Sequence, residues 1–315
     1  MQWFAQAPSN IALIKYMGKK DDKRNIPINS SLSYTLNKLL SSVELETKPG
    51  RKDDWAPLTI PGAKPFELSQ TAQHRFLDHL ARLKSHFNYD GAFMVRSSNN
   101  FPHSSGLASS ASSFAALTKC AVLALSELTN KPIPSIEEQA QLSRLGSGSS
   151  CRSFFSPWAL WREETVKAID MPYKNLIHQV IVISHDEKKI SSREAHMRIH
   201  TSKLYPTRAE QAENNLKALL AAFEQKDWKS AYQICWREFH DMHKLFTTCI
   251  NPFTYMTEQS HQALNLLQEL WQQIDDGPIV TMDAGPNIHL LYRPDQEELA
   301  NQFKKKYLLG NYDLI

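Results

Sequence analysis

The apolar positions change period along the chain, and each change marks an element. Ile11 to Ile14 is a short apolar run that predicts a strand. Leu32, Tyr34 and Leu36 alternate with polar residues, and residues 42–47 alternate again. Two half-buried strands that pair with each other are expected there. Residues 48–64 are polar, carry proline and glycine, and predict a loop. From Gln73 to His86 the period becomes helical, with Phe76, Leu77, Leu80 and Leu83 on one face. Phe93 to Ser98 reads as a strand. Beyond it Phe114, Leu117, Ala121, Leu125 and Leu128 recur at three and four, which predicts a helix with one buried face. Ser135 before Ile-Glu-Glu marks a capped helix start. That helix runs through Leu142 and Leu145 until Gly146 and Gly148 break it into a loop. Trp158 to Met171 is expected to be strand-like, and His178 to Ser184 is a buried strand. The chain is expected to divide near that strand, into residues 1–180 and 181–315. Helices follow over about 207–224, 227–248 and 256–274. Two strands close the pattern, Ile279 to Met282 and Ile288 to Tyr292.

The residues that carry chemistry lie between these elements. Asn99 to Ala111 is almost all turn and hydroxyl residues and opens into the helix of Phe114. Backbone N–H groups at a helix start have no partners of their own, and with the helix dipole they bind anions. Six serines lie between Ser104 and Ser113, with one glycine, Gly106, and no acidic residue. That composition favours an anion over an ordinary serine cap. Hydroxyls of Ser104, Ser105, Ser109 and Ser110 can donate to phosphate oxygens or sit on a metal ion. Lys15, Tyr16 and Lys19 follow the first strand and can hold a diphosphate; a solvated basic turn is the alternative. Arg152 on a glycine-serine segment is suited to clamp a carboxylate or phosphate, because its planar fork binds two oxygens at once. Asp283-Ala-Gly-Pro-Asn287 is by composition a turn between two strands.

Other chemistries are excluded. Gly146-Ser-Gly-Ser-Ser-Cys lacks the third glycine and preceding strand of a dinucleotide site, and no Walker-type phosphate loop occurs. Cys235, His240, His243 and Cys249 are spaced by five, three and six along one helix, which does not gather four ligands around zinc.

Composition narrows the class. The 315 residues are 42% hydrophobic and 22% charged, the values of a globular chain long enough for two domains. A formal charge of +3 does not argue for nucleic acid or a membrane surface. The four cysteines, Cys120, Cys151, Cys235 and Cys249, form no CxxC pair and read as reduced thiols. The first residues lack the pattern of a signal peptide, and no apolar run reaches the ~18 residues of a membrane span. A cytoplasmic location is expected. Five of the ten glycines, Gly18, Gly106, Gly146, Gly148 and Gly285, fall in the segments singled out here, which suggests that these segments line one site.

Pro102-x-x-x-Gly-Leu-x-Ser-Ser-Ala111 resembles the phosphate loop of the GHMP kinases, and the longer Asn99-Asn-Phe-Pro run is similar to that of the mevalonate diphosphate decarboxylases. Four further blocks agree in order: Asn10-Ile-Ala-Leu-Ile-Lys-Tyr-Met-Gly-Lys19, Pro27 through Asn29-Ser30-Ser31, Gly146-Ser-Gly-Ser-Ser-Cys-Arg-Ser153, and Asp283-Ala-Gly-Pro-Asn287. Met17 stands where the family has tryptophan, and Ser156-Pro157 where it has Gly-Gly. The resemblance implies an α+β fold of two domains, the first like ribosomal protein S5 domain 2 and the second ferredoxin-like. It implies conversion of ATP and mevalonate 5-diphosphate to isopentenyl diphosphate, ADP, phosphate and carbon dioxide, with Mg²⁺. Asp283, Lys15 and Arg152 would be catalytic. Asn10, Tyr16, Met17, Gly18, Lys19, Ser147, Gly148, Ser149, Ser150, Cys151, Arg152 and Thr201 would bind substrate. Asn99, Pro102, Ser104, Ser105, Gly106, Leu107, Ala108, Ser109 and Ser110 would bind ATP, with Ser110 on the metal. Arg75 is the nearest match to the family's basic residue at the start of its helix. Homodimers are common in the family. Rival readings are a 5-monophosphate decarboxylase, a mevalonate 3-kinase and an S5-like RNA-binding module; neither nucleic acid nor membrane is expected as a partner.

Overall fold

The computed structural model describes residues 1–59, 67–101, 109–186 and 188–315. Strand β1 (Gln2–Ile14) has 13 residues. Its first half alternates exposed and half-buried positions, which hides it from an apolar-run reading. A short hairpin follows, β2 (Lys19–Asp21) and β3 (Ile26–Pro27). Next, β4 (Ser31–Lys48) is one strand of 18 residues, not two that pair with each other. Both halves pair antiparallel with β1: Leu36 faces Ser9 and Leu40 faces Pro8, so residues 37–39 bulge outward. The bulge flips the phase, so Leu32, Tyr34 and Leu36 are even-numbered while buried Val43 and Leu45 are odd. That phase change is what made one strand read as two.

Strand β5 (Asp54–Pro57) lies in the stretch expected to be a loop and pairs parallel with a later strand. Helix α1 (Gln70–Phe87) buries Phe76, Leu80 and Leu83. Strand β6 (Ala92–Asn99) pairs with β4 and β5. Helix α2 (Ser109–Thr129) has the length and apolar composition of a membrane-crossing helix, yet it is mostly buried, packed on β1, β4, α1 and the next helix. That helix, α3 (Ile136–Gly146), begins with a capping box: Ser135 Oγ accepts from Glu138 N at 3.2 Å, and Glu138 accepts from Ser135 N at 2.8 Å. Ser135→Ala is expected to cost about 1 kcal/mol in urea unfolding with turnover unchanged. After α3 the chain forms a 3₁₀ helix (Gly148–Phe154), not the open loop expected from its glycines. A cis Ser156–Pro157 bond precedes two strands rather than one, β7 (Trp158–Arg162) and β8 (Thr165–Ala168). They turn at Glu163, whose φ is 49°. β4 is the spine of a six-stranded sheet, with β1 on one edge and β6 and β7 on the other.

Strand β9 (Ile177–Val182) starts the second sheet. Helix α4 (Ser192–Arg198), which was not expected, is followed by α5 (Tyr205–Glu224), α6 (Trp228–Thr247) and α7 (Glu258–Ile274), close to the expected ranges. Strands β10 (Ile279–Thr281) and β11 (Ile288–Tyr292), helix α8 (Glu297–Phe303) and strand β12 (Asp313–Leu314) complete the chain. The second sheet is antiparallel, in the order β10-β11-β9-β12. The largest core cluster draws on both halves of the chain, from Ile11, Leu32 and Trp158 to Val180, Leu216, Phe239 and Ile279. A small third cluster gathers Met17, Ala195, Ile199, Met242, Phe246, Tyr255 and Ala284. It packs the end of β1, α4, α6 and the β10–β11 turn together, and that junction holds the polar residues described next.

Candidate active site

β1 delivers Lys15 into this junction, and a buried network fixes its main chain. The Lys15 N–H donates to Glu238 Oε1 at 3.0 Å. Its carbonyl accepts from Asn29 Nδ2 at 3.0 Å and Arg208 Nη2 at 3.3 Å. Glu238, fully buried on α6, also pairs with Arg208 and accepts from Asn215 Nδ2 at 2.7 Å. The Lys15 side chain is 1% exposed, and its Nζ lies 2.7 Å from Asp283 Oδ1. Burial pulls the Lys15 pKa down despite that carboxylate. Burial opposes ionisation of Asp283, but Lys15, His289 and Arg152 outweigh it and hold the carboxyl below its usual value. Asp283 is therefore an ionised base that keeps 26% side-chain exposure.

Asp283 sits on the β10–β11 connection, and more than a turn holds it. His243 Nε2 donates to the Asp283 carbonyl at 3.1 Å, and Lys188 Nζ to the Ala284 carbonyl at 2.7 Å. Ser260 Oγ donates to Pro286 O at 3.2 Å, and Asn287 Oδ1 accepts from Ile183 N at 2.7 Å. Braces from α6, α7 and the segment after β9 are more than a surface turn requires. Burial lowers the Lys188 ammonium to about 8, partly opposed by Asp283. Lys188 was not assigned a role from sequence.

The 3₁₀ helix supplies Arg152, which is buried. Its Nε donates to Asn10 Oδ1 at 3.1 Å and its Nη1 to Ser31 Oγ at 2.9 Å. Asn10 in turn donates to Ser153 Oγ at 2.8 Å and Ser149 O at 3.3 Å. The guanidinium lies 5.7 Å from the Trp161 ring centre. The other two neighbours serve the local fold. Ser150 bonds Ser143 Oγ and Ser147 O, and burial pushes the Cys151 thiol up to about 12, which removes it as a nucleophile.

Tyr16 lies tilted against Trp161 and His196, with ring centres 4.6 Å away in each case, and its buried hydroxyl has no partner among the described residues. Burial pushes the phenol pKa up, so the group stays a donor. Gly148 faces that hydroxyl: a Cβ there would lie 2.6 Å from it. Gly148→Ala is expected to displace Tyr16 and raise the substrate KM about tenfold, measured by steady-state kinetics. Gly18 has φ +109°, and a Cβ would lie 2.5 Å from Ile28 Cδ1. Lys19 lies 3.7 Å from Asp22, and burial, with Arg193 and Arg75 near it, lowers its pKa. Lys19, Arg75 and Arg193 thus form a basic cluster. Arg193, on α4, was given no role from sequence, because only the fold brings it to Lys19. Met17 packs in the apolar cluster beneath Ala284.

Pro102, Ser104, Ser105, Gly106, Leu107 and Ala108 lie outside the described residues. At their flanks, Asn99 Oδ1 accepts from Ser41 Oγ at 2.6 Å and Ser113 Oγ at 3.3 Å. Ser109 is buried and Ser110 exposed in the first turn of α2, which has no acidic residue. Thr201 is exposed and bonds Arg198 O and Ile250 N, neither of which touches the Lys15–Asp283 pair. His240 Nδ1 lies 2.8 Å from Trp236 O and Cys249 Sγ donates to Phe246 O, so these residues and His243 have separate surroundings.

Residues 7–170 match the model of the diphosphomevalonate decarboxylase-like N-terminal domain. Residues 178–312 match that of the mevalonate 5-diphosphate decarboxylase C-terminal domain. The chain belongs to the diphosphomevalonate decarboxylase family. It is 32% identical to the diphosphomevalonate decarboxylase mvd1 of Aspergillus fumigatus, over 95% of this chain and 78% of that one. It is similar to a crystal structure of a mevalonate diphosphate decarboxylase from Legionella pneumophila, with 67% identity, a TM-score of 0.95 and full coverage of both chains. A complex of MDDEF with MVAPP, AMPPCP and magnesium is 29% identical, with a TM-score of 0.86, over 100% of this chain and 96% of that one. The α+β architecture is that of these family members, the GHMP kinase fold.

Proposed function

We propose that this chain converts ATP and (R)-5-diphosphomevalonate to isopentenyl diphosphate, ADP, phosphate and carbon dioxide, with the buried Lys15–Asp283 pair as its reacting centre. The observation that carries the reading is that pair at 2.7 Å, with Arg152 electrostatically coupled to Asp283 and the Lys19–Arg75–Arg193 cluster nearby. Asp283 orients and deprotonates the 3-hydroxyl as the γ-phosphoryl group of ATP passes to its oxygen. The C3–O bond then breaks and phosphate leaves. C1 departs as carbon dioxide, and the C1–C2 electron pair becomes the π bond between C2 and C3. Lys15 faces the transferring phosphate, and Arg152 holds the carboxylate with the guanidinium edge its protein partners leave open. Asn10 fixes Arg152; Tyr16, Lys19, Ser147 and Ser149 take the diphosphate with Arg193 and Arg75.

ATP phosphates are assigned to the segment from Asn99 to Ser110. Among the described residues no three His, Cys, Asp or Glu side chains converge on a metal position, while Ser110 offers an exposed hydroxyl. That donor set fits Mg²⁺ held mainly by nucleotide phosphates, with Ser110 as its protein ligand. When bound, the ion neutralises charge on those phosphates. A cytoplasmic homodimer belongs to the same reading, supported for location by four buried free thiols.

The test is substrate choice. With ATP and Mg²⁺, kcat/KM for mevalonate 5-diphosphate is expected to exceed that for the 5-monophosphate by about 100-fold or more. The reverse order would reassign the substrate. Lys188 adds a pH signature: with its ammonium at about 8, kcat/KM falls as the pH passes that value and the charge is lost. In Lys188→Arg, which keeps its charge, that limb is expected to vanish from the pH profile.

A further inference from the structure

His196 touches the segment from Tyr16 to Lys19 at two points. Its Nδ1 accepts from the Gly18 N–H at 3.0 Å, and its ring lies 4.6 Å from that of Tyr16. It is 6% exposed. An Nδ1 that accepts from a backbone N–H carries no proton, so the ring is the neutral tautomer with hydrogen on Nε2. Burial, reinforced by Lys19 and His200, keeps the imidazole pKa down to about 3, consistent with that geometry. Gly18 is closely held: its φ is +109°, and a Cβ there would lie 2.5 Å from Ile28 and 3.1 Å from Tyr205.

We infer that His196 is a positioning residue for diphosphate binding, its imidazole holding Gly18 and Tyr16 so that the Tyr16 hydroxyl and Lys19 present themselves together. The inference rests on the reading of the cleft given above. Arg193 and His196 are three residues apart on α4 and so share a face, which ties the same helix to both sides of the diphosphate site. The chemistry also explains a histidine here. A carboxylate would satisfy Gly18 equally well, but its charge would pair with Lys19 and compete with the anion. A neutral acceptor adds no second carboxylate beside Lys19, which already has Asp22 at 3.7 Å.

The test separates the acceptor atom from the ring. His196→Phe keeps the ring and loses the acceptor; His196→Asn places its Oδ1 near the position of Nδ1; His196→Gln carries its polar end further out. The KM for mevalonate 5-diphosphate is expected to rise about tenfold in the Phe and Gln variants, with kcat within about twofold and the ATP KM unchanged. His196→Asn is expected to restore most of the loss. The inference is overturned if His196→Phe keeps the wild-type KM, if His196→Asn is as impaired as His196→Phe, or if kcat falls instead of KM rising. Calorimetry with inorganic pyrophosphate makes the test independent of turnover. Its Kd is expected to rise in the Phe variant and recover in the Asn variant, even if the wild-type protein proves to act on another substrate. Should the Phe variant fail to fold, the Asn and Gln pair decides: equal pyrophosphate Kd values in these two contradict the inference.

Discussion

Asp283→Asn lowers kcat by about 10³-fold, ~4 kcal/mol in the barrier, while ATP binds as before. The substitution removes the base and leaves the architecture. The interactions that hold this position run through its backbone carbonyl, to His243 at 3.1 Å and Gly285 N at 2.8 Å, and asparagine keeps both. Lys15 loses its charge partner at 2.7 Å, so the variant tests the pair as a unit. The pH profile gives a second readout. Because Lys15, His289 and Arg152 outweigh burial, Asp283 stays ionised to lower pH than an ordinary carboxylate. The acid limb of kcat/KM that belongs to it is therefore expected below the usual carboxylate range. Near-wild-type turnover in Asp283→Asn would remove Asp283 from the chemistry.

Glu238→Ala is expected to destabilise the fold by about 3–5 kcal/mol, measured by urea unfolding, because it strands Arg208 in the interior without its carboxylate. Both side chains are essentially buried, and Asn215 loses the same acceptor. The loss reaches the site through one bond, from the Lys15 N–H to Glu238 Oε1 at 3.0 Å. Glu238→Gln keeps an oxygen for that bond and gives up only the charge. It is expected to lose less stability than the alanine variant and to retain more turnover per folded molecule. Equal stability of Glu238→Ala and wild type would mean that the network does not hold Lys15 in place.

These two predictions concern residues that differ in how visible they are in the sequence. Asp283, Lys15 and Arg152 were legible because each stands in a short block whose order resembles a family. Glu238 was not, since a glutamate in a helical run looks like a solvated position, and only the packing of α5 against α6 and β1 buries it. Arg193, Lys188 and His196 were given no role because their partners are distant in sequence: Tyr16, Gly18 and Lys19, or the turn after β10. The fold shows a parallel limit. The three long helices of the second half were read to within two residues, while the short α4 and α8 were not read at all. The bulge at residues 37–39 reversed the alternation within β4 and turned one strand into two. β5 is four residues long and only half buried, so its pattern does not differ from that of a polar loop. The glycines at 146 and 148 suggested an open loop, whereas Gly148 is required by the approach of the Tyr16 hydroxyl.

The central claim is that one site phosphorylates and decarboxylates the same substrate. It is tested most directly by product stoichiometry with purified protein, ATP, Mg²⁺ and mevalonate 5-diphosphate labelled at the carboxyl carbon. The account predicts ADP, labelled carbon dioxide and isopentenyl diphosphate in equal amounts, all abolished together in Asp283→Asn. ADP formed without labelled carbon dioxide would contradict it and make the protein a kinase.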